Sequence, residues 1–179
     1  TDARQSQPGL VDQANGGTLF LDEIDSLSLT SQATLLRFLE NYEYRALGNS
    51  TTSIANIRVI AATNVKLSHL CDTGKFRRDF YDRLNIVSLN VAPLRARVED
   101  IQLLTQHFLK CCQTKYKKPA KQLDSAVIHW MMNYPWPGNI RQLENLIHRC
   151  FLLSSGPVIY RDIVDEGVED DNGSTDIAV

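Results

Sequence analysis

Gly16-Gly17-Thr18-Leu19-Phe20-Leu21-Asp22-Glu23-Ile24 is the stretch whose reading decides the fold of this 179-residue chain. Thr18 to Leu21 is a short apolar run that leaves the turn signal Asn15-Gly16-Gly17 and stops at two acids, as a buried strand does. Further on, Ile57-Arg58-Val59-Ile60-Ala61-Ala62 makes a second such run, closed by Thr63-Asn64. Between the two, from about Thr30 to Asn41, Ala33, Leu36, Phe38 and Leu39 recur near helical spacing. Two buried strands separated by a helix mark an α/β sheet. The remaining punctuation predicts a hairpin-like segment over 42–47, a polar loop over 48–56, short helices over 66–73 and 76–84, and a third strand over Ile86–Leu89.

After Ala92-Pro93 the pattern changes. Ile101, Leu104, Phe108 and Cys112 share one face of a helix expected over about 98–114. A second helix, 125–133, is closed by Tyr134-Pro135-Trp136-Pro137-Gly138, and a third follows over 140–153 with Asn139 as its expected cap. Three helices without a strand predict an all-α subdomain. The chain is therefore divided into an α/β part over 1–93, a helical part over 94–163, and an acidic linker or tail over 164–179.

Composition limits the function classes. With 43% apolar residues and a formal charge of −2, wholesale disorder is excluded. No uncharged apolar run nears the roughly 18 residues a membrane helix requires, and no signal-peptide pattern opens the chain, so a cytoplasmic protein is expected. Residues 162–179 hold seven acids and no base, which leaves the first 161 residues at +5. The four cysteines, two of them adjacent (Cys111, Cys112), lack the spacing of a disulfide framework or zinc site and read as reduced thiols. His69, His107, His129 and His148 have no ligand-like spacing and are assigned to packing, as are Trp130, Met131 and Met132. Lys115, Lys117, Lys118 and Lys121 read as a solvated loop rather than a nucleic-acid surface.

Ligands of open α/β sheets bind beyond the carboxyl ends of the strands, which makes Asp22-Glu23 and Thr63-Asn64 the first candidates. One carboxylate can hold Mg²⁺, directly or through water, while the next polarises a water for attack on a γ-phosphate. A polar strand exit into solvent would look the same. The Asn64 amide could orient that water, although Thr-Asn is also ordinary turn chemistry. Arg77 and Arg83, less than two helical turns apart, could present two guanidinia at one domain edge, where such forks suit phosphates. Salt bridges to Asp79 and Asp82 are the alternative. Arg141 falls in the first turn of a helix, where a cation opposes the helix dipole and hints at an anion nearby. A rim arginine held by Glu144 would account for it equally.

In this order, the strings GGTLFLDEI (16–24), RVIAATN (58–64), KFRRDFYDRLNIV (75–87), PLRARVEDI (93–101) and WPGNIRQLEN (136–145) closely resemble the central domain of bacterial sigma-54-dependent transcriptional activators, a branch of the AAA+ ATPases. The resemblance covers residues 1 to about 163. It implies a partial AAA+ P-loop nucleotide-binding fold, a parallel sheet with flanking helices, followed by a helical lid. It further implies that Asp22 and Glu23 are the Walker B pair, with Asp22 holding Mg²⁺ through water. Asn64, with Thr63 beside it, matches sensor I, Arg77 and Arg83 match arginine fingers reaching a neighbour's nucleotide, and Arg141 matches sensor II. Thr1 falls by spacing on the threonine of the loop that grips sigma-54.

The implied activity is ATP hydrolysis with Mg²⁺ by a homo-oligomeric ring, a hexamer, which remodels sigma-54 RNA polymerase into the open complex. DNA would be contacted only through a helix-turn-helix outside this chain. No GxxxxGK[ST] phosphate loop occurs in the 179 residues, so this chain alone is expected to be inactive. Asp2, Asp25, Ser28, Asp82 and Ala96 depart from the family pattern. Asp25 and Ser28 are expected to alter loop shape only, and Asp82 to damp the neighbouring Arg83. The alternative function is a non-hydrolysing regulatory module that keeps the fold as an assembly surface.

Overall fold

The computed structural model describes residues 9–45 and 51–165. Thr1, and with it Asp2, lies outside the described residues, as does the tail from Glu166. The chain divides into two compact units, residues 1–89 and 90–179.

In the first unit a short helix α1 (Leu10–Gln13) precedes β1 (Thr18–Leu21), and a 3-10 turn over Ile24–Ser26 leads into α2 (Leu29–Asn41). Ser28 caps α2, its hydroxyl accepting from Ser31 N–H at 3.2 Å, so this departure from the family pattern starts a helix. The strands β2 (Glu43–Tyr44) and β3 (Ser53–Ile54) pair antiparallel, and β4 (Arg58–Ala61) returns parallel to β1. The helices α3 (Leu67–Asp72) and α4 (Arg78–Leu84) follow. Ile24, Phe38, Leu39, Ala55, Phe76 and Phe80 form the core. Phe76 stacks on Phe80 with ring centroids 5.3 Å apart.

Two expectations fail here. β1 and β4 are half-buried on one face only: the in-register pair Phe20 and Ile60 is 58% and 42% exposed. Ile86–Leu89 forms no strand; Ile86, Val87 and Leu89 are 76%, 78% and 89% exposed. Apolar composition gives a segment strand propensity, but a strand exists only where a neighbour takes its backbone hydrogen bonds.

The second unit begins with a 3-10 turn over Leu94–Ala96 and the long helix α5 (Glu99–Tyr116). Then come β5 (Gln122–Leu123), α6 (Ser125–Asn133), α7 (Asn139–Leu153) and β6 (Val158–Ile159). β5 and β6 pair in parallel over two residues each, a small addition to the strandless bundle expected. α5, α6 and α7 close over Ile101, Phe108, Val127, Met131, Leu143, Ile147 and Phe151. Trp136 is fully buried, its indole N–H donating to Met131 O at 2.8 Å. Burial pushes the Cys150 thiol up to about 11, so it stays protonated and unreactive. His148 packs against Tyr116, whose hydroxyl lies 3.0 Å from Nδ1. Within the basic stretch, Lys121 is half-buried and donates to Ser154 O, whereas Lys115, Lys117 and Lys118 are exposed.

Asn139 is not the α7 cap. Gly138 is, and Asn139 opens the helix at φ +53, its side-chain oxygen accepting from Leu94 N–H at 3.0 Å. A Cβ on Gly138 would sit 2.8 Å from the Gln142 Cβ, so glycine is needed for this close approach.

Candidate active site

The parallel register Thr18↔Arg58 to Leu21↔Ala61 makes β1 and β4 end together. Two backbone bonds extend the pairing past both ends, Ala62 N–H to Leu21 O at 2.8 Å and Ile24 N–H to Ala62 O at 3.2 Å. Asp22-Glu23 and Thr63-Asn64 therefore leave the sheet side by side. Asp22 is exposed, and its Oδ1 accepts from Glu23 N–H at 2.9 Å, while no described residue hydrogen-bonds its second oxygen. Glu23 is left-handed (φ 51, ψ 44), held by Ser26, whose N–H and hydroxyl both donate to its carbonyl at 3.0 and 2.7 Å. Glu23 and Asn64 are exposed, and no described residue hydrogen-bonds the carboxylate of the one or the carboxamide of the other.

Thr63 is differently placed. Its hydroxyl donates to Asp25 Oδ1 at 2.6 Å and accepts from Val65 N–H at 3.2 Å. Asp25 thus fastens the two strand exits to each other, a larger part than the change of loop shape its sequence position implied.

Arg77 immediately precedes α4, and its guanidinium grips Asp79 twice, Nε to Oδ1 at 3.0 Å and Nη2 to Oδ2 at 2.6 Å. The Arg77 fork holds the Asp79 carboxyl below the usual range and Asp79 raises Arg77 in turn, so both stay ionised at neutral pH. Both side chains are nearly half exposed, 41% and 49%, so water screens the pair and it exchanges at little cost. Arg83 faces its own unit: Nε and Nη2 both donate to Leu39 O, at 3.1 and 2.7 Å, in the last turn of α2, where a cation suits the helix dipole. The two arginines are therefore not presented alike. Asp82 pairs with Arg78 at 3.4 Å rather than with Arg83. Arg141 is exposed near the start of α7 and bonds no described residue, Glu144 included.

Sequence reasoning missed Gln32. It is fully buried in α2, its Nε2 donating to Leu27 O at 2.8 Å and to Lys75 O at 3.2 Å, its Oε1 accepting from Arg77 N–H at 2.8 Å. The signal was a glutamine one turn before Leu35 and Leu36, in line with the apolar stripe of the helix.

No group of three or more His, Cys, Asp or Glu gathers among the described residues. Magnesium needs none, since it keeps several waters and takes one or two carboxylates together with nucleotide phosphates, which the free oxygen of Asp22 fits.

Many known proteins are similar to this chain in sequence and fold. The model of the sigma-54 interaction domain matches residues 1–90. The chain belongs to the sigma-54 activator family. That of an AAA+ ATPase lid domain matches residues 95–177 of this activator chain. The phenol regulator MopR of Acinetobacter guillouiae is 47% identical to it over 154 residues, 86% of the chain and 28% of MopR. The DNA-binding transcriptional regulator NtrC of Rhizobium meliloti is 42% identical over 165 residues, 92% of the chain and 34% of NtrC. The crystal structure of NtrX from Brucella abortus in complex with ADP superimposes with a TM-score of 0.82 at 26% identity, covering 92% of the activator chain and 43% of NtrX. NtrX in complex with ATP gives 0.82 at 29% identity, covering 87% and 37%. The activator chain spans about a third of the length of these curated relatives. No described helix is long and apolar enough to cross a membrane.

Proposed function

We propose that this chain is part of the ATP-hydrolysing module of a longer cytoplasmic activator, which assembles as a hexameric ring and uses ATP turnover to remodel sigma-54 RNA polymerase from the closed to the open promoter complex. One observation carries the reading: the common end of β1 and β4, which sets an acidic pair beside a free carboxamide. Magnesium, when bound, neutralises charge on the β- and γ-phosphates. Asp22 would hold it through water with the oxygen that no described residue bonds. Glu23 takes the proton of the attacking water, and Asn64 orients that water. Arg77 leaves the screened grip of Asp79 for the γ-phosphate of the neighbouring subunit's ATP, where a guanidinium offsets developing charge. Arg141, in the helical unit, is free to take a phosphate of its own subunit's nucleotide. Arg83, bound to Leu39 O, serves the domain edge that carries Arg77 and acts as a second finger only if that bond is exchanged. Thr63 acts through its tie to Asp25. Thr1 would contact sigma-54, and DNA would be reached through a helix-turn-helix elsewhere in the protein.

Against a non-hydrolysing assembly module, the side chains of Glu23, Asn64 and Arg141 bond no described residue, and Arg77 is engaged by a screened surface pair with Asp79. Residues 1–179 alone are expected to release no phosphate from ATP above background, since no GxxxxGK[ST] phosphate-loop sequence occurs in them. Phosphate release by the purified chain that Glu23→Gln removes would overturn this.

A further inference from the structure

Gln32 joins two segments that the proposed reaction uses at different sites. Leu27 ends the turn that begins at Glu23, and its carbonyl accepts from Gln32 Nε2 at 2.8 Å. Lys75 and Arg77 flank Phe76, which is 2% exposed and anchored on Phe80. The same carboxamide takes Lys75 O at 3.2 Å and Arg77 N–H at 2.8 Å. One side chain, 0% exposed, thus sets the backbone of Arg77 against the loop that carries the acidic pair. A buried amide with both donors and its acceptor engaged has a single orientation, since a flip would set N–H against N–H and oxygen against oxygen. Helix α2 fixes the carboxamide, and the carboxamide fixes both segments.

We propose that Gln32 is a positioning residue for Arg77, and that it couples the acidic loop of one subunit's site to the arginine which that subunit offers to the next. This rests on the reading of Arg77 as acting in trans. A displacement of the Glu23 loop would be passed through Leu27 O to the carboxamide and on to Arg77, so that neighbouring sites sense each other through a side chain that touches neither nucleotide.

The test uses the full-length protein. Gln32→Met keeps the volume and removes all three hydrogen bonds. It is expected to lower kcat about 10²-fold, the scale of a misplaced catalytic group, with nucleotide Kd changed less than about twofold. In an Arg77→Ala background it should lower kcat no further. Mixed with Glu23→Gln protein, it should regain activity as Arg77→Ala does, because interfaces then form between an intact Glu23 and a correctly held Arg77. Should Gln32→Met fail to fold, Gln32→Glu, which keeps the shape and loses both donors, takes its place in the same mixtures. Additive loss in the double variant, or no recovery where Arg77→Ala recovers, overturns the role of Gln32. No recovery by Arg77→Ala itself overturns the trans reading, and this proposal with it.

Discussion

Glu23→Gln in the full-length activator is expected to leave ATP binding intact and to lower turnover by about 10²- to 10⁴-fold, the usual worth of a positioned general base. The amide has nearly the shape of the carboxylate, and Glu23 makes no side-chain bond with any described residue that the change would break, so folding should be untouched. Only the capacity to take a proton goes. Asp22→Ala should act elsewhere, weakening magnesium-dependent nucleotide binding, because Asp22 is the acid proposed to hold the metal and keeps one oxygen that no described residue bonds. Nucleotide titration with and without magnesium, alongside steady-state phosphate release, separates the two. Equal loss of binding in both variants, with normal turnover per bound nucleotide, would show that the division of labour is wrong.

Arg77→Ala should cost about 10³-fold or more in turnover, the contribution of an arginine supplied in trans to phosphoryl transfer. Stability should change little, because the exposed pair with Asp79 is screened and the backbone N–H that holds the segment to Gln32 remains. Mixing Arg77→Ala with Glu23→Gln protein supplies the decisive measurement. Some interfaces in mixed rings unite an intact Glu23 with an intact Arg77, so activity should rise above that of either variant alone. If assembled mixed rings stay as inactive as their parents, Arg77 is a local salt-bridge residue and nothing more.

Local pattern sufficed wherever local physics decides. β1, α2 and β4 could be read from apolar runs bounded by turns, and the acidic pair and Asn64 could be nominated because strand ends are where an open sheet leaves polar groups exposed. Ile86–Leu89 was misread because strand formation depends on a neighbour, which no window of sequence contains. Asn139 was misread as a cap because its side chain serves Leu94, 45 residues away. Asp25 to Thr63 spans 38 residues and Gln32 to Arg77 spans 45, and both contacts are polar, so periodicity carries no trace of their pairing. Arg77 and Arg83 looked equivalent in spacing and differ only in what each finds within reach, a nearby carboxylate or a helix end.

On the role proposed for Glu23, its left-handed backbone sets stability against activity at a single residue. A side chain at φ 51 costs about 1–2 kcal/mol, which glycine would not incur, while glycine loses roughly 0.4–1 kcal/mol through the added freedom of the unfolded chain. Glu23→Gly should therefore melt at a higher temperature than Glu23→Ala, although neither has a carboxylate and both are expected to be inactive. Given that proposed role, a lineage released from ATP turnover would gain stability by exchanging this glutamate for glycine, so that retention of the strained residue would mark selection for that chemistry.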